Sequence, residues 1–265
     1  YIYTPLIEPP SDQTETAFTT PITGNESKDV VYANAGIRKP DGRYVFTKDT
    51  TIRTDDSYTV DGGAWANPTA PAISNVNTGK TLDIDLSGKK LNIEHKGNIT
   101  VVGINAIGAN SKVHVKNAGA ITISGTNTGS LYAPTLYVNG GGSIHIENGG
   151  DNLEDKVLTL RTVGKREASP AVIKTMNGVA GVESSITIDG LVDLLADGTY
   201  PGGLGTNEGV SAVASRVDIG GGSIRATGSA WAAIRAYGEF VTDNYGTVNF
   251  NVTKGADGLA NGAGT

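Results

Sequence analysis

Through most of the chain, apolar and polar residues alternate in short bursts that break at glycine or asparagine. Val113-His114-Val115, Ile121-Thr122-Ile123, Ile186-Thr187-Ile188 and Val192-Asp193-Leu194 all follow this rule, as do Leu82-Asp83-Ile84 and Leu91-Asn92-Ile93. Strand side chains point to opposite faces in turn, so each burst predicts a short strand with an apolar inner side and a polar outer side. A three-residue strand cannot bury its inner side alone. The pattern therefore demands stacking of one burst on another.

The bursts recur as units. The clearest pair is Leu136-Tyr-Val-Asn-Gly-Gly-Gly-Ser-Ile-His-Ile146 and Val217-Asp-Ile-Gly-Gly-Gly-Ser-Ile-Arg-Ala226, each a strand, a glycine turn and a second strand. Taking the first strand of every unit gives the anchors Leu82, Val113, Leu136, Leu158, Ile186, Val217 and Val248, with Ile52 opening an earlier unit. A third element precedes the next first strand at Ala106-Ile107, Ala133-Pro134, Ala171-Val172, Ala212-Val213 and Ala233-Ile234.

Three short strands per unit predict an all-β chain folded as a right-handed parallel β-helix, a three-sided solenoid. Eight or so coils rising by about 4.8 Å each give a rod on the order of 40 Å long. The recurrent alanine marks a narrow part of the cross-section, and the glycine triplets at 140–142 and 220–222 suit corners that need positive φ. A β-sandwich has short strands too, but not this ordered unit. The trimeric adhesin-like stretch Ala106-Ile107-Gly108-Ala109-Asn110-Ser111 does not recur at the interval such a head requires.

Residues 1–50, rich in Pro, Thr, Asp and Glu, lack the unit and read as an N-terminal capping segment over the first open sheet edge. Residues 51–265 read as the β-helix, which stops in mid-pattern and is expected to be truncated at its C-terminus. Insertions at 61–72, 148–156, 164–169 and 196–209 should stand out from the rod, and such excursions often carry the specific contacts of a solenoid.

Composition narrows the classes. Thirty-seven glycines fit a turn-rich fold, the formal net charge of −6 argues against nucleic acid or an anionic membrane as partner, and the absence of cysteine excludes disulfides and thiolate chemistry. No zincin, nucleophile-elbow or Walker motif is present, so no catalytic residue is expected. The unit alignment puts His114 and His145 on different sides, where they would not share a metal, and no metal site or cofactor is expected. Thr122, His145, Asp193 and Arg225 read as one outer ladder of the second strand, which could tempt an acid–base reading; like columns are normal on a solvated face. Asn148-Gly-Gly-Asp-Asn-Leu-Glu-Asp155 offers oxygen ligands for calcium but matches no calcium loop, and reads as an acidic turn.

Aromatics are the candidate binding residues. Tyr137 is expected to face outward between Leu136 and Val138, Tyr132 and Trp231 to sit near one corner, and Trp65 and Tyr200 to lie in insertions. An exposed aromatic edge stacks on sugars or anchors a protein partner.

Gly-Gly-Gly-Ser-Ile-x-Ile at 140–146, its near copy at 220–226 and the cysteine-free coil pattern resemble monomeric (type Va) autotransporter passenger domains of Gram-negative bacteria, over roughly residues 75–253. The resemblance implies a passenger at the cell surface or secreted, itself not embedded in the membrane. It also implies adhesion, aggregation or biofilm formation through contacts with a host or bacterial surface protein or glycan, or with further copies of itself. The alternatives are a carbohydrate-active β-helix enzyme (a polysaccharide lyase or hydrolase) and an inert surface spacer.

Overall fold

The computed structural model describes residues 22–24, 31–32, 37–38, 43–55, 71–97, 103–127, 134–164, 171–179, 181–198, 207–228, 230–237 and 246–250. Two short strands, β1 (Val31–Tyr32) and β2 (Ile37–Arg38), run antiparallel and lead into β3 (Tyr44–Phe46). β3 opens the first coil, followed by β4 (Thr50–Asp55) and β5 (Ile73–Asn75). The second coil is β6 (Thr81–Asp85), β7 (Leu91–Gly97) and β8 (Ile104–Ile107), and the third is β9 (Lys112–Lys116), β10 (Ile121–Asn127) and β11 (Leu136–Asn139). The fourth comprises β12 (Ser143–Ile146), β13 (Leu158–Gly164) and β14 (Ala171–Thr175). In the next two coils one long strand covers two sides: β15 (Ser185–Gly198) precedes β16 (Asn207–Val213), and β17 (Arg216–Gly228) precedes β18 (Ala230–Tyr237). β19 (Thr247–Phe250) begins another turn.

Every one of these coil strands pairs in parallel with its equivalent one turn away. The first side is β3-β6-β9-β12-β15-β17-β19 and the second is β4-β7-β10-β13-β15-β17. β15 and β17 bend from one side to the other, with a register shift between Ile188 and Leu191, so both sides belong to one 13-stranded sheet. The third side is a separate six-stranded sheet in the order β18-β16-β14-β11-β8-β5. The expected three-sided parallel β-helix is the fold. Its first side holds seven rungs, so the rod described is roughly 30 Å long at the usual strand spacing.

Inner positions form the dry axial column that the alternation demands. Leu82, Val113, Ile144, Ile186 and Val217 stack on the first side; Leu91, Ile121, Leu158 and Val192 on the second; Ile73, Ile104, Leu136, Ile173 and Val210 on the third, and all belong to one continuous core. Each buried aliphatic is worth about 1.5–3 kcal/mol over an exposed one. Ala106 and Ala212 share a column with Val138 and Thr175, facing inward where the third side closes on the others.

The repeat itself is phased differently from the sequence alignment. Leu136 lies on the third side and Leu158 on the second; the first-side anchor between Val113 and Ile186 is Ile144. With that change the first side runs Leu82, Val113, Ile144, Ile186, Val217, Val248 in direct register. The two glycine triplets misled because they turn different corners. Gly140 and Gly141, with φ of 62° and 88°, turn from the third side to the first; Gly222, with φ of 107°, follows the corner from the first side to the second. Extra length in the fourth coil, including a 3-10 turn at Leu153–Lys156 and a bridge between Val179 and Val182, hid the true period.

The stretch read as a cap already contains the first rung, since Tyr44 of β3 pairs with Ile84 of β6. Ile22 bridges Ile73 on the third side. Much of 1–50, most of the insertions at 61–72, 164–169 and 196–209, and everything after Phe250 lie outside the described residues.

Candidate functional site: the outer ladders

Parallel, in-register stacking turns each outer position into a column of side chains. On the first side one column reads Asp83, His114, His145, Thr187, Asp218, Asn249. His114 and His145 are therefore direct neighbours and not on different sides, which corrects the sequence reading. Their rings stack with centroids 5.0 Å apart and 5° between planes. The cause is the phasing error above: once Ile144 replaces Leu136 as the anchor, Val113-His114-Val115 lies over Ile144-His145-Ile146. That shared x-His-x phase was the signal in the sequence that could have found the pair.

Side chains of this column reach diagonally to residues two positions along the next strand. Lys116 Nζ lies 3.2 Å from Asp83 Oδ2, His114 Nε2 2.8 Å from Glu147 Oε1, and His145 Nε2 3.0 Å from both carboxylate oxygens of Asp189. Further along, Arg216 Nε donates to Asp218 Oδ2 at 2.6 Å and Asn249 Nδ2 to Asp218 Oδ1 at 2.7 Å. Partial burial pushes the Asp218 carboxyl up, but the hydrogen bonds and charge of Arg216 and the Asn249 amide outweigh it and hold the group below the ordinary aspartate value. These pairs are partly exposed, so each contributes at most about 1 kcal/mol. Their main effect is to order a flat polar surface.

The second side carries a similar set. Arg53 Nε binds Glu94 Oε2 at 2.6 Å, and Arg161 Nη2 binds Asp193 Oδ2 at 2.6 Å while its Nη1 donates to the Asp193 carbonyl. Arg225 Nη2 approaches Asp193 Oδ1 at 3.4 Å. Desolvation raises the Asp193 carboxyl, yet Arg161 and then Arg225 more than offset it and leave the group below its usual value. Asp193 is thus held as an anion. The ladder read as Thr122, His145, Asp193 and Arg225 does not exist as one column: His145 belongs to the first side, and Arg225 stands beside Leu195, not Asp193. A general acid–base pair is not assembled there.

On the third side the outer column is Ser74, Asn105, Tyr137, Lys174, Ser211, Arg235. Tyr137 points away from the axial core, as alternation requires, but it is fully buried and offers no exposed aromatic edge. Alternation sets direction; exposure depends on what the tertiary structure lays over a face. Ser74, Asn105, Lys174 and Ser211 in the same column are buried as well. Asn139 Nδ2 donates to the Tyr137 hydroxyl at 3.2 Å, and burial drives the phenol far above its ordinary pKa. Lys174 Nζ donates to Ser211 Oγ at 3.2 Å. Trp231 falls in β18, where pairing with β16 shifts register beside Asn207. Tyr132, Trp65 and Tyr200 lie outside the described residues.

Asn148, considered as a calcium ligand, is a structural residue. It is fully buried; its Nδ2 donates to the carbonyls of Lys156 and Leu191, each at 3.1 Å, and its Oδ1 accepts from Gly190 N–H at 2.7 Å. It clamps one coil to the next. One open depression of about 550 Å³ runs along Thr187, Asp189, Asp218 and Phe250.

Fold and surface together define a three-sided parallel β-helix with charged outer ladders on two sides. No family model, no curated protein and no solved structure matches the chain.

Proposed function

We propose that this chain is a surface-displayed binding rod, the passenger portion of a Gram-negative autotransporter, acting in adhesion or self-association rather than in catalysis. The observation that carries the reading is the repetition of polar rungs in register at strand spacing along two sides of the rod. A surface that repeats about every 4.8 Å matches a partner that also repeats, such as a glycan chain or a second copy of the rod. Each contact is weak, and many in line add by avidity.

A carbohydrate-active enzyme needs carboxylates converging on one groove with one of them held protonated. Asp83, Glu147, Asp189, Asp193 and Asp218 instead each face a basic neighbour. This arrangement favours recognition over hydrolysis.

Sedimentation velocity across a concentration series, together with a glycan array, tests the proposal. Concentration-dependent association, or glycan retention without turnover, supports it. Release of reducing or unsaturated sugar ends refutes it in favour of the enzyme, and no association with any partner leaves a spacer. The reading frame that encodes the chain is a separate check, since a passenger is followed by a translocator barrel.

A further inference from the structure

We propose that His114, His145 and Glu147 bind a divalent transition-metal ion of the zinc class, with Asp189 orienting His145. The inference stands on the geometry of the first side and does not depend on the adhesive reading.

The three side chains offer ligand atoms that all lie within 4.8 Å of one another. Zinc holds nitrogen at about 2.0–2.1 Å and carboxylate oxygen at about 2.0–2.2 Å in a tetrahedron, which places donors roughly 3.3 Å apart. Closing the remaining gap takes small side-chain rotations, with no movement of the strands. The backbone already supplies the spacing: β9 and β12 are in direct parallel register at His114 and His145, and Glu147 follows His145 by two residues on the same outer side.

The donor set selects the ion. Two imidazoles and one carboxylate suit zinc, cobalt, nickel or copper, whereas calcium and magnesium take oxygen shells. Three protein ligands leave a position for water, and the site is half-buried, with His114 26% and Glu147 41% exposed at the side chain. A metal-bound histidine commonly gives its other ring nitrogen to a carboxylate that fixes the ring and tautomer. Asp189 is placed for that role, holding the Nε2 edge of His145 with both oxygens and leaving Nδ1 for the ion.

Neighbouring groups do not oppose a cation. The column continues into Thr187 on one side and Asp83 on the other. Lys116, two residues beyond His114 on β9, turns its ammonium to Asp83. Other rungs of the first side carry their own fixed cation, as Arg216 does for Asp218. His114 and His145 occupy the column that carries Asp83 and Asp218 on other rungs, and each imidazole faces a carboxylate, Glu147 or Asp189, so the rung presents imidazole and carboxylate donors with no fixed cation between them.

The test titrates ZnCl2 into the metal-free 265-residue chain, carrying no polyhistidine tag, by isothermal calorimetry, with the visible spectrum of added cobalt as a coordination signature. Saturable binding of one ion per chain is expected, with a cobalt spectrum of low coordination number. His114→Ala, His145→Ala and Glu147→Gln should each weaken binding at least about tenfold, and Asp189→Asn about 10–100-fold. His95→Ala should leave it unchanged. All of these side chains are replaced on a folded rod, confirmed by far-UV circular dichroism. Absence of saturable binding, or a His114→Ala/His145→Ala double variant that binds as the parent does, overturns the proposal.

Discussion

Replacing Asn148 with alanine removes three hydrogen bonds from one buried corner. Two are donations from Nδ2 to the carbonyls of Lys156 and Leu191, and one is acceptance from Gly190 N–H at 2.7 Å. Each made bond is worth about 1 kcal/mol net, and a buried donor left unpaired costs roughly 1–3 kcal/mol more. Gly190 is buried, so its N–H has no water to turn to. The expected loss is therefore about 4–6 kcal/mol. Equilibrium urea unfolding followed by circular dichroism should show it as a fall in midpoint of about 1–2 M, taking a slope of about 3 kcal/mol/M for a chain of this size. Amide exchange supplies a local readout: Gly190 should exchange much faster in the variant while amides of β6 and β9 keep their protection. Added calcium should rescue nothing. A loss under about 1 kcal/mol, or unchanged protection at Gly190, would refute the claim that this asparagine clamps successive coils.

Gly142→Ala places a Cβ 2.1 Å from the Ala106 carbonyl oxygen of the coil beneath, so that backbone must yield at a cost of about 3 kcal/mol. Thermal melting should drop by about 10 °C, against a smaller drop for Gly79→Ala, where a Cβ meets nothing within 4 Å and only the positive φ opposes it. Asp193→Asn tests the second-side ladder through pH. The carboxyl of Asp193 is depressed in the fold, so its contribution is present above the unfolded aspartate value of about 3.9 and is lost as pH falls through the folded value. The parent should be more stable than the variant at pH 7 by no more than about 1 kcal/mol. The gap should close below about pH 4 in melting curves, and a gap that widens on acidification would contradict the assignment.

Much of the architecture was legible because burial imposes local arithmetic. Val113-His114-Val115 can bury its two valines only if His114 faces the other way, and no knowledge of the partner strand is needed for that. The same holds for Ile186-Thr187-Ile188 and Val192-Asp193-Leu194, all of which occupy the inner and outer positions expected. Leu136 shows where the arithmetic ends. Its strand alternates correctly and packs into the core, yet it lies on the third side, because the Gly-Gly-Gly-Ser-Ile motif serves two different corners of the triangle. The longer fourth coil then broke the period on which the alignment relied.

The candidate site depended on that phase. Moving one anchor from Leu136 to Ile144 takes His145 from the second side to the first and stacks it on His114. Tyr137 fails for another reason: alternation predicted its direction and said nothing of cover. By itself the sequence determined the strand alternation, the three-strand unit and hence the parallel β-helix, since each follows from which side chains must leave water. Tertiary structure alone decided the register between coils and the burial of outer faces. Both depend on residues a full turn or more apart along the chain, whose separation is set by corner lengths that composition does not constrain.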